Sequence, residues 1–372
     1  MEKITPAEMA RAERVLDRVL DDWLLRPGVT AVDLGYEWAK GEMTGRLAIR
    51  VHVAKKKPAI ELDDAEIFPR EVDGIPVDVL QASYGLPATP QLTLVAAPAP
   101  TLETSNEISP AAITPLGVSV SNPYTSAGTL GALVVDIDTG REMVLSNWHV
   151  LGGMTDTEAG TPIWQPGSID GGTAQHKIGH LTRWTIGPYD AAVALLDGSR
   201  NVEPITPDGR PIEKSGDPMP GMTVWKYGRT SGYTKGFIDG THGTVPLTYP
   251  TLGATVVLQD IVRIIPLPGD RGEISEPGDS GAVWVDEESG MAVGLHCAGE
   301  TGFEPEYALA HDIGPVLRTL FVRFPGDYLF EVDDDKLEPP GGDGDDSGPV
   351  SWWAGLLILV KRMMRSKNGT GT

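Results

Sequence analysis

Residues 273–284 read EISEPGDSGAVW, and they place Ser280 in a turn-forming run directly before an apolar segment that predicts a strand. Gly, Asp, Pro and Ser are the ordinary residues of turns, so the Gly-Asp-Ser-Gly tetrapeptide also fits a turn with no chemistry. A serine hydroxyl becomes a useful nucleophile only when a general base lies beside it and a third group orients that base. Ser280 is therefore a candidate nucleophile only if the chain supplies both groups.

Two upstream segments supply candidates for both groups. In EMVLSNWHVLGG a strand-like apolar run precedes His149, and in PYDAAVALLD Asp190 opens another. Taken singly, the histidine fits a packed side chain and the aspartate fits a cap or a turn residue. Their joint occurrence in the order His149, Asp190, Ser280 is that of the chymotrypsin type of triad. We call these three the triad residues; the alternative is a degenerate, inactive site.

Other arrangements of a nucleophilic serine fit the sequence less well. The turn of an α/β-hydrolase needs Gly two places after the serine, where this chain has Ala282, and its acid and histidine must both follow the nucleophile. A subtilisin arrangement needs the acid before the histidine, and no suitable aspartate precedes His149 in the adjoining segment. Both alternatives are excluded.

Residues 115–324 resemble the trypsin-like serine proteases, because the His, Asp and Gly-Asp-Ser-Gly motifs occur there in the same order. Residues 224–238, VWKYGRTSGYTKGFI, and residues 28–58 further resemble the narrow-leaf proteases of plants and their bacterial relatives. The resemblance implies a mainly β chain, in which a two-barrel chymotrypsin-like protease domain follows a small α+β domain. It also implies a serine endopeptidase that acts on protein or peptide substrates.

Each triad residue has a role that follows from its chemistry. His149 would take the Ser280 proton during attack on a carbonyl and return it to the leaving amine, while Asp190 would fix the imidazole tautomer. The backbone N–H groups of Gly278 and Ser280 can converge on the developing oxyanion, a contribution of about 3 to 4 kcal/mol per donor. The predicted oxyanion hole is thus Gly278 and Ser280.

Asp279 raises a separate question, because in secreted trypsins that aspartate pairs with an N-terminal amine released by cleavage. Three alternatives stay open for this chain: cleavage near residues 108–120, pairing with Lys226 or Arg229, or a turn that stays unformed until a partner binds. We therefore expect regulation by cleavage or by partner binding.

Four residues are predicted to form the primary specificity pocket. The residue six places before the nucleophile lies at the pocket base in trypsin-like proteases, and here it is Ile274, so selection of Lys or Arg is not expected. His296 stands in a Gly-Leu-His run that resembles the Gly-Ile-His of glutamate-specific bacterial and picornavirus proteases, and with Ser275 it can donate hydrogen bonds to Glu or Gln. Ala298 can instead narrow the entrance and favour a small or medium apolar residue. Both preferences stay open.

Composition restricts the cellular setting and the partners. The chain has 372 residues, a formal net charge of −22 and one cysteine, Cys297. One cysteine allows no disulfide within the chain, and residues 1–25 lack the apolar core of a signal peptide, so we expect a cytoplasmic protein. The negative charge argues against a nucleic-acid partner, because phosphates would be repelled. No oligomeric state is predicted.

Five segments are predicted along the chain. They are a helix plus small α+β domain at 1–95, a linker at 96–114, the protease domain at 115–325, an acidic Gly- and Pro-rich tether at 326–349 and an apolar and basic tail at 350–372. The elements predicted in the first segment are a helix to about residue 25, strands near 29–37 and 45–54, a helical turn at 63–69 and a strand at 74–81. Alternation in LAIRVHVAKK places His52 on the face predicted to meet solvent.

The C-terminal tail is too short in apolar length to span a bilayer. Its apolar run, residues 350–360, falls far below the roughly 20 residues that a spanning helix needs. Tryptophans at one end and Lys and Arg up to residue 367 at the other suit peripheral membrane association or docking to a partner. The alternative is a tail that contacts nothing.

Two further motifs carry little weight. His176 and His180 are four residues apart, but the glycine between them and the strand-like context argue against a zinc site on a helix. The run YGRTSGYTKG lacks the Gly-Lys-Ser/Thr order of a phosphate-binding loop and suits a hairpin. We expect neither a metal nor a cofactor. The predicted function is thus a serine endopeptidase, with a protease-fold peptide-binding scaffold of little or no turnover as the alternative.

Overall fold

The computed structural model describes residues 4–86, 113–300 except 268 and 271, and 307–327. Most of the predicted linker and tether, and the whole tail, lie outside the described residues. No helix among these ranges is long and apolar enough to cross a membrane. The described residues all belong to one compact unit.

Three α-helices and four short 3₁₀ helices are present in the described chain. The α-helices are α1 Pro6–Leu24, α2 Trp148–Leu151 and α3 Ile313–Leu320, and the 3₁₀ helices are Ala59–Glu61, Asp64–Glu66, Ser168–Asp170 and Ala174–His176. Helix α1 begins where Thr5 and Glu8 cap it reciprocally, with Pro6 at its first position. Its apolar face is buried on the neighbouring strands and forms a core cluster with them.

The strands range in length from 2 to 18 residues. The first half of the chain contains β1 Val29–Ala39, β2 Glu42–Val53, β3 Glu71–Val72, β4 Ile75–Gln81, β5 Tyr84–Gly85, β6 Ile113–Thr114, β7 Ser119–Val120, β8 Gly128–Thr129, β9 Ala132–Asp136, β10 Glu142–Ser146 and β11 Pro162–Trp164. The second half contains β12 Lys177–Ile186, β13 Asp190–Leu196, β14 Asn201–Val202, β15 Thr223–Gly228, β16 Gly232–Tyr249, β17 Ala254–Ile265, β18 Val283–Asp286, β19 Ala292–Glu300, β20 Ala308–Asp312 and β21 Val322–Arg323.

Six strands of the largest sheet close into a ring. The order is β15-β18-β19-β20-β17-β16, and β16 pairs again with β15. A second sheet, in the order β11-β12-β13-β10-β9-β21, carries the segments that lead to His149 and Asp190. The prediction of a mainly β chain with a helix and strands ahead of the protease-like part is confirmed.

The N-terminal segment, residues 4–86, continues the ring as part of the same sheet. Strand β16 pairs with β15 over its first residues, and further along it pairs with β1. Strands β2, β4 and β3 follow in order beyond β1. The helix and strands predicted in this segment are confirmed, and the sheet that they form is continuous with that of the barrel.

The prediction that His52 meets solvent is wrong. One face of β2, with Ile49 and Val51, packs under α1, while the opposite face, with Arg50 and His52, is also covered. His52 is 1% exposed. Alternation separates the two faces of a strand, but it does not tell whether one or both of them are covered.

A buried charge network joins the N-terminal segment to β16 and β17. Arg50 Nε donates to Asp33 Oδ1 at 2.7 Å, and its Nη1 donates to Asp239 Oδ2 at 2.8 Å. Arg263 also donates to Asp239, and His52 Nε2 lies 3.1 Å from Asp33 Oδ1. We call these five residues the junction cluster. Arg50 contacts two carboxylates, and it pairs with Asp33 through both Nε and Nη2, the bidentate geometry that suits a buried arginine.

Candidate active site

His149 is held at the start of the short helix that follows β10. Its backbone N–H donates to Asp190 Oδ1 at 3.0 Å, and its Nδ1 is hydrogen-bonded to Asp190 Oδ2. Asn147, just before the helix, donates from Nδ2 to the Asp190 carbonyl at 2.7 Å. The side chain of His149 is 20% exposed, whereas that of Asp190 is fully buried. The structure thus brings two triad residues together with Nδ1 engaged, which leaves Nε2 to act as a base.

Asp190 opens β13 and makes several further contacts. Tyr249 Oη donates to its Oδ2 at 2.8 Å, and its own N–H donates to His311 Nε2 at 3.0 Å. Burial would raise the pKa of the Asp190 carboxyl, but the charge and hydrogen bonds of His149 outweigh burial and lower it. Burial and the nearby Asp190 raise the pKa of Tyr249, so its hydroxyl stays protonated and donates. Asp190 is therefore an oriented, ionised acceptor.

Sequence reasoning missed the groups that hold Asp190. Tyr249 lies at the end of the long strand β16, and His311 lies in β20, each far from Asp190 along the chain. His311 follows an apolar run, as His149 does, and that pattern was a usable signal. No comparable local pattern singles out Tyr249, because only strand pairing brings it to the site.

Ser280 lies in the turn between the predicted pocket base and β18. It is 5% exposed, and its carbonyl accepts the N–H of Thr129 at 2.8 Å. Pro277 O accepts Thr230 Oγ1 at 2.8 Å, and since the C=O and N–H of one peptide unit point in opposite directions, the N–H of Gly278 faces away from Thr230. Within the described ranges no group accepts a hydrogen bond from the N–H of Gly278 or of Ser280. No group in the described part of the chain therefore engages either predicted oxyanion donor.

Gly278 is required by conformation and by space. Its φ is +105°, in the region that side chains other than glycine rarely adopt. A Cβ at this position would overlap with Thr230 Oγ1 and press on Arg229. The carbonyl of Gly278 is fixed by a hydrogen bond from Thr129 Oγ1 at 2.9 Å. The turn conformation is thus specified on both sides of Gly278.

Asp279 is buried and fully surrounded by donors. Lys226 Nζ, itself buried, lies 2.8 Å from its Oδ2. The N–H groups of Thr230 and Ser231 donate to Oδ1 at 3.0 and 3.1 Å, and that of Glu276 donates to Oδ2 at 3.0 Å. Although burial opposes ionisation, the charge and hydrogen bond of Lys226, with a hydrogen bond from the Ser231 hydroxyl, bring the pKa of Asp279 to about 2. The carboxylate is therefore charged and anchors the turn before Ser280.

Of the two cations that the sequence offered to Asp279, Lys226 makes the contact. Arg229 instead pairs with Asp170, to which its Nε donates at 2.8 Å. Strand β15 points Lys226 into the barrel, whereas Arg229 lies just beyond the strand's end. The cation that pairs with Asp279 is thus Lys226, a side chain inside the barrel.

The four predicted pocket residues occupy different environments. Ile274 is 3% exposed and belongs to an apolar cluster with Trp284, and Ala298 is also buried. Ser275 Oγ lies 3.9 Å from the position that a Cβ on Gly299 would occupy. Ser275 and Ala298 thus lie near the end of β19.

His296 is the pocket residue with distinctive chemistry. It is 1% exposed, and Trp284 Nε1 approaches its Nδ1 at 3.5 Å. Burial, followed by the positive charge of Lys226, lowers the pKa of His296 to about 3. With Nδ1 facing a donor, the neutral ring carries its proton on Nε2, and no described group accepts that proton.

The two further motifs lie in separate elements of the described chain. His180 lies in β12, and His176 ends a 3₁₀ helix with Nδ1 facing Thr173. Among the described residues no group of three or more His, Cys, Asp or Glu could hold a metal ion. The glycine-rich run forms the β15–β16 hairpin, as predicted.

Solved structures similar to this chain are serine proteases of the chymotrypsin fold, the fold class that the sequence predicts. Thermobifida fusca protease A is 17% identical with a TM-score of 0.44, covering 57% of this chain and 98% of its own. The Nocardiopsis protease is 18% identical with a TM-score of 0.44, covering 57% and 99%. Cellulomonas bogoriensis chymotrypsin is 17% identical with a TM-score of 0.42, covering 57% and 98%. No protein-family model and no curated protein matches the chain.

Proposed function

We propose that this protein is a serine endopeptidase that hydrolyses peptide bonds through an acyl-enzyme. Ser280 Oγ attacks the carbonyl, His149 takes its proton and returns it to the leaving amine, and water then releases the acyl group by the same route. Asp190 holds the imidazole and stabilises its charged form. The N–H groups of Gly278 and Ser280 stabilise the oxyanion.

The observation that carries the proposal is the preorganisation of one partly exposed histidine. His149 is hydrogen-bonded twice to a buried Asp190, and Asp190 is held in turn by Tyr249. The serine turn supplies two backbone donors that no described group engages. A peptide-binding scaffold needs neither feature.

The internal Lys226–Asp279 pair supports a turn that forms without a new N-terminal amine. Since the pair already neutralises Asp279, cleavage is not needed to supply a cation. Regulation by cleavage or partner binding would then act elsewhere in the chain. We also propose that the protein is related to the narrow-leaf proteases of plants, from the sequence resemblance of residues 28–58 and 224–238.

We propose two alternative classes of residue before the scissile bond: Glu or Gln, and a small or medium apolar residue. The neutral His296 can donate from Nε2 to a carboxylate or amide oxygen, which favours the first class. Ala298 on the same strand favours the second, because it narrows the entrance. Cleavage of a peptide library by wild type and His296→Ala separates them: loss of a Glu or Gln preference in the variant would identify the imidazole as the selector.

A cytoplasmic location, with peripheral membrane or partner docking through residues 350–367, remains a proposal from sequence. Sedimentation with anionic liposomes, with and without residues 338–372, tests the tail. Equal partitioning of both forms would exclude a membrane anchor.

The proposed activity is tested by labelling with a fluorophosphonate. Ser280 Oγ would bond to phosphorus with loss of fluoride, and Ser280→Ala should abolish labelling. Ser289→Ala, which removes an exposed serine in the same barrel, is the matched control and should label normally. Labelling of Ser280 without any peptide hydrolysis would favour the scaffold alternative. Absence of labelling in wild type would refute the proposed function.

A further inference from the structure

The short strand β5 lies at the end of the strand that carries His296. Gly85 pairs with Gly299 and Tyr84 pairs with Glu300, in antiparallel orientation. Both β5 residues are partly buried, and Tyr84 packs against the main core. The last strand of the N-terminal segment thus reaches the candidate active site.

The side of β19 on which β5 lies follows from the pairing. Gly299 pairs with Ala308 of β20 on one side, so Gly85 must occupy the other. On that same side Leu295 pairs with Val283 of β18. Strand β5 therefore lies on the edge of β19 that β18 leaves uncovered.

That edge begins at the nucleophile. His296 N–H donates to Ala282 O at 2.8 Å, and Gly281 N–H donates to His296 O at 2.9 Å, so His296 lies against the two residues after Ser280. Gly299 is three positions further along, about 10 Å at the rise of a strand. Strand β5 is thus in line with Ser280 on one sheet edge.

Strand β5 runs in the direction expected of the substrate residues that precede the scissile bond. Strand β19 runs away from Ser280, so an antiparallel neighbour runs toward it. In a substrate, the residues that pair with this edge precede the scissile carbonyl, which must lie at Ser280. The substrate chain must therefore also run toward Ser280, in the same direction as β5. Antiparallel addition to an exposed edge is a common mode of peptide binding.

The junction cluster anchors β5. Tyr84 Oη is hydrogen-bonded to His52 Nδ1 at 2.8 Å, and His52 Nε2 lies 3.1 Å from Asp33. Two residues before Tyr84, the Ala82 carbonyl accepts a hydrogen bond from Thr30 Oγ1 at 2.7 Å. The N–H of Ala82 donates to Val53 O at 3.0 Å. These bonds tie β5 to β1 and β2.

We propose that β5 occupies the substrate-pairing edge of β19, so that an extended peptide binds only by displacing Tyr84 and Gly85. The proposal rests on the proposed function, because it uses Ser280 as the point that the peptide must reach. Strand β5 would thus compete, within the same chain, with substrate for this edge. The ligand of the edge is the extended main chain of the substrate residues that precede the scissile bond. Compounds too small to reach Gly299 bind without competition.

Two classes of probe separate these cases. A small fluorophosphonate needs only the nucleophile, whereas tetrapeptidyl diphenyl phosphonates ending in Glu, Gln, Ala or Leu also need the edge. Both phosphonylate Ser280 Oγ, with loss of fluoride or phenoxide and transfer of the serine proton to His149. Tyr84→Ala should raise the inactivation rate constant of a reactive tetrapeptidyl probe about tenfold. This is the increase expected if the wild-type edge is occupied by β5 about ten times more often than it is open. The rate of this variant with the small probe should not change.

Ile60→Ala is the matched control, because Ile60 lies in the same segment and is 94% exposed. It should leave both rates unchanged. Tyr84→Phe keeps the ring but loses the bond to His52, and it should give an intermediate rate. Thermal unfolding of each variant shows whether the fold is kept.

A second measurement uses the wild-type chain and does not depend on any variant folding. Hydrogen exchange of peptides covering Tyr84 and Gly85 should increase after labelling with the tetrapeptidyl probe but not after labelling with the small one. Equal exchange after both labels would overturn the role of β5 while leaving the nucleophile intact. Equal tetrapeptidyl rates in wild type and a folded Tyr84→Ala would do the same. If neither probe labels the wild-type protein, the proposed function is refuted, and this inference with it.

Discussion

The junction cluster and the triad residues both contain buried carboxylates, but they differ in access to solvent. Every member of the junction cluster is at most 4% exposed, and its arginines compensate its aspartates. In the candidate active site a fully buried Asp190 supports a histidine whose side chain is 20% exposed. A buried ion network therefore indicates chemistry only where one member reaches the surface, and the two regions should respond differently to substitution.

The largest expected effect is on turnover at the triad residues. Ser280→Ala and His149→Ala should each lower kcat by about 10⁶-fold, and Asp190→Asn by about 10⁴-fold because it favours the wrong tautomer. Steady-state hydrolysis of a peptide measures this. Ser280→Ala should unfold close to the wild-type temperature, and near-normal turnover by this variant would exclude the mechanism.

Arg50→Met should instead reduce stability. It leaves Asp33 and Asp239 buried without their shared partner, a loss of about 3 to 5 kcal/mol in the free energy of unfolding. Denaturant titration measures it. Arg46→Met, on the same strand but 64% exposed in its side chain, should change that free energy by less than about 0.5 kcal/mol. Equal losses in both variants would contradict the comparison.

Lys226→Met should affect both activity and stability, because Lys226 is buried beside the turn of Ser280. Loss of the Asp279 partner should disturb the oxyanion donors and lower kcat about 10²- to 10³-fold. Lys235→Met, whose lysine pairs with Glu287 at the surface of the same hairpin, is the control. Normal kcat in a folded Lys226→Met would show that the pair serves stability alone.

The smallest expected effect is a change in pH dependence at His311. Its Nε2 accepts the Asp190 N–H, and burial lowers its pKa to about 4. As the pH falls from about 6.5 toward 4, the unfolded chain binds a proton that the folded His311 refuses, so stability is lost in that window. His311→Gln keeps a hydrogen-bond acceptor but does not titrate, and should reduce this loss by about 3 kcal/mol at pH 4. Parallel pH profiles for both proteins would contradict the assignment.

Local patterns predicted the elements of this chain better than their mutual contacts. Alternation and turn residues located the strands beside His149 and Asp190, because those signals are local. The partner of Asp279 depends on which way Lys226 points from its strand, and the burial of His52 depends on a second covering layer. Pairing of β1 with β16 left no sequence signal at all, because backbone hydrogen bonds carry no side-chain pattern.

The continuous sheet changes what a break in the chain would do. Backbone hydrogen bonds between β1 and β16, together with the Arg50 contact to Asp239, hold residues 4–86 to the barrel independently of the peptide connection. A nick between residues 86 and 113 should therefore yield a two-chain protein whose fragments co-purify under native conditions and separate only in denaturant. Separately expressed halves should then reassociate by fragment complementation, whereas the isolated barrel half would leave the edge of β16 open to aggregation.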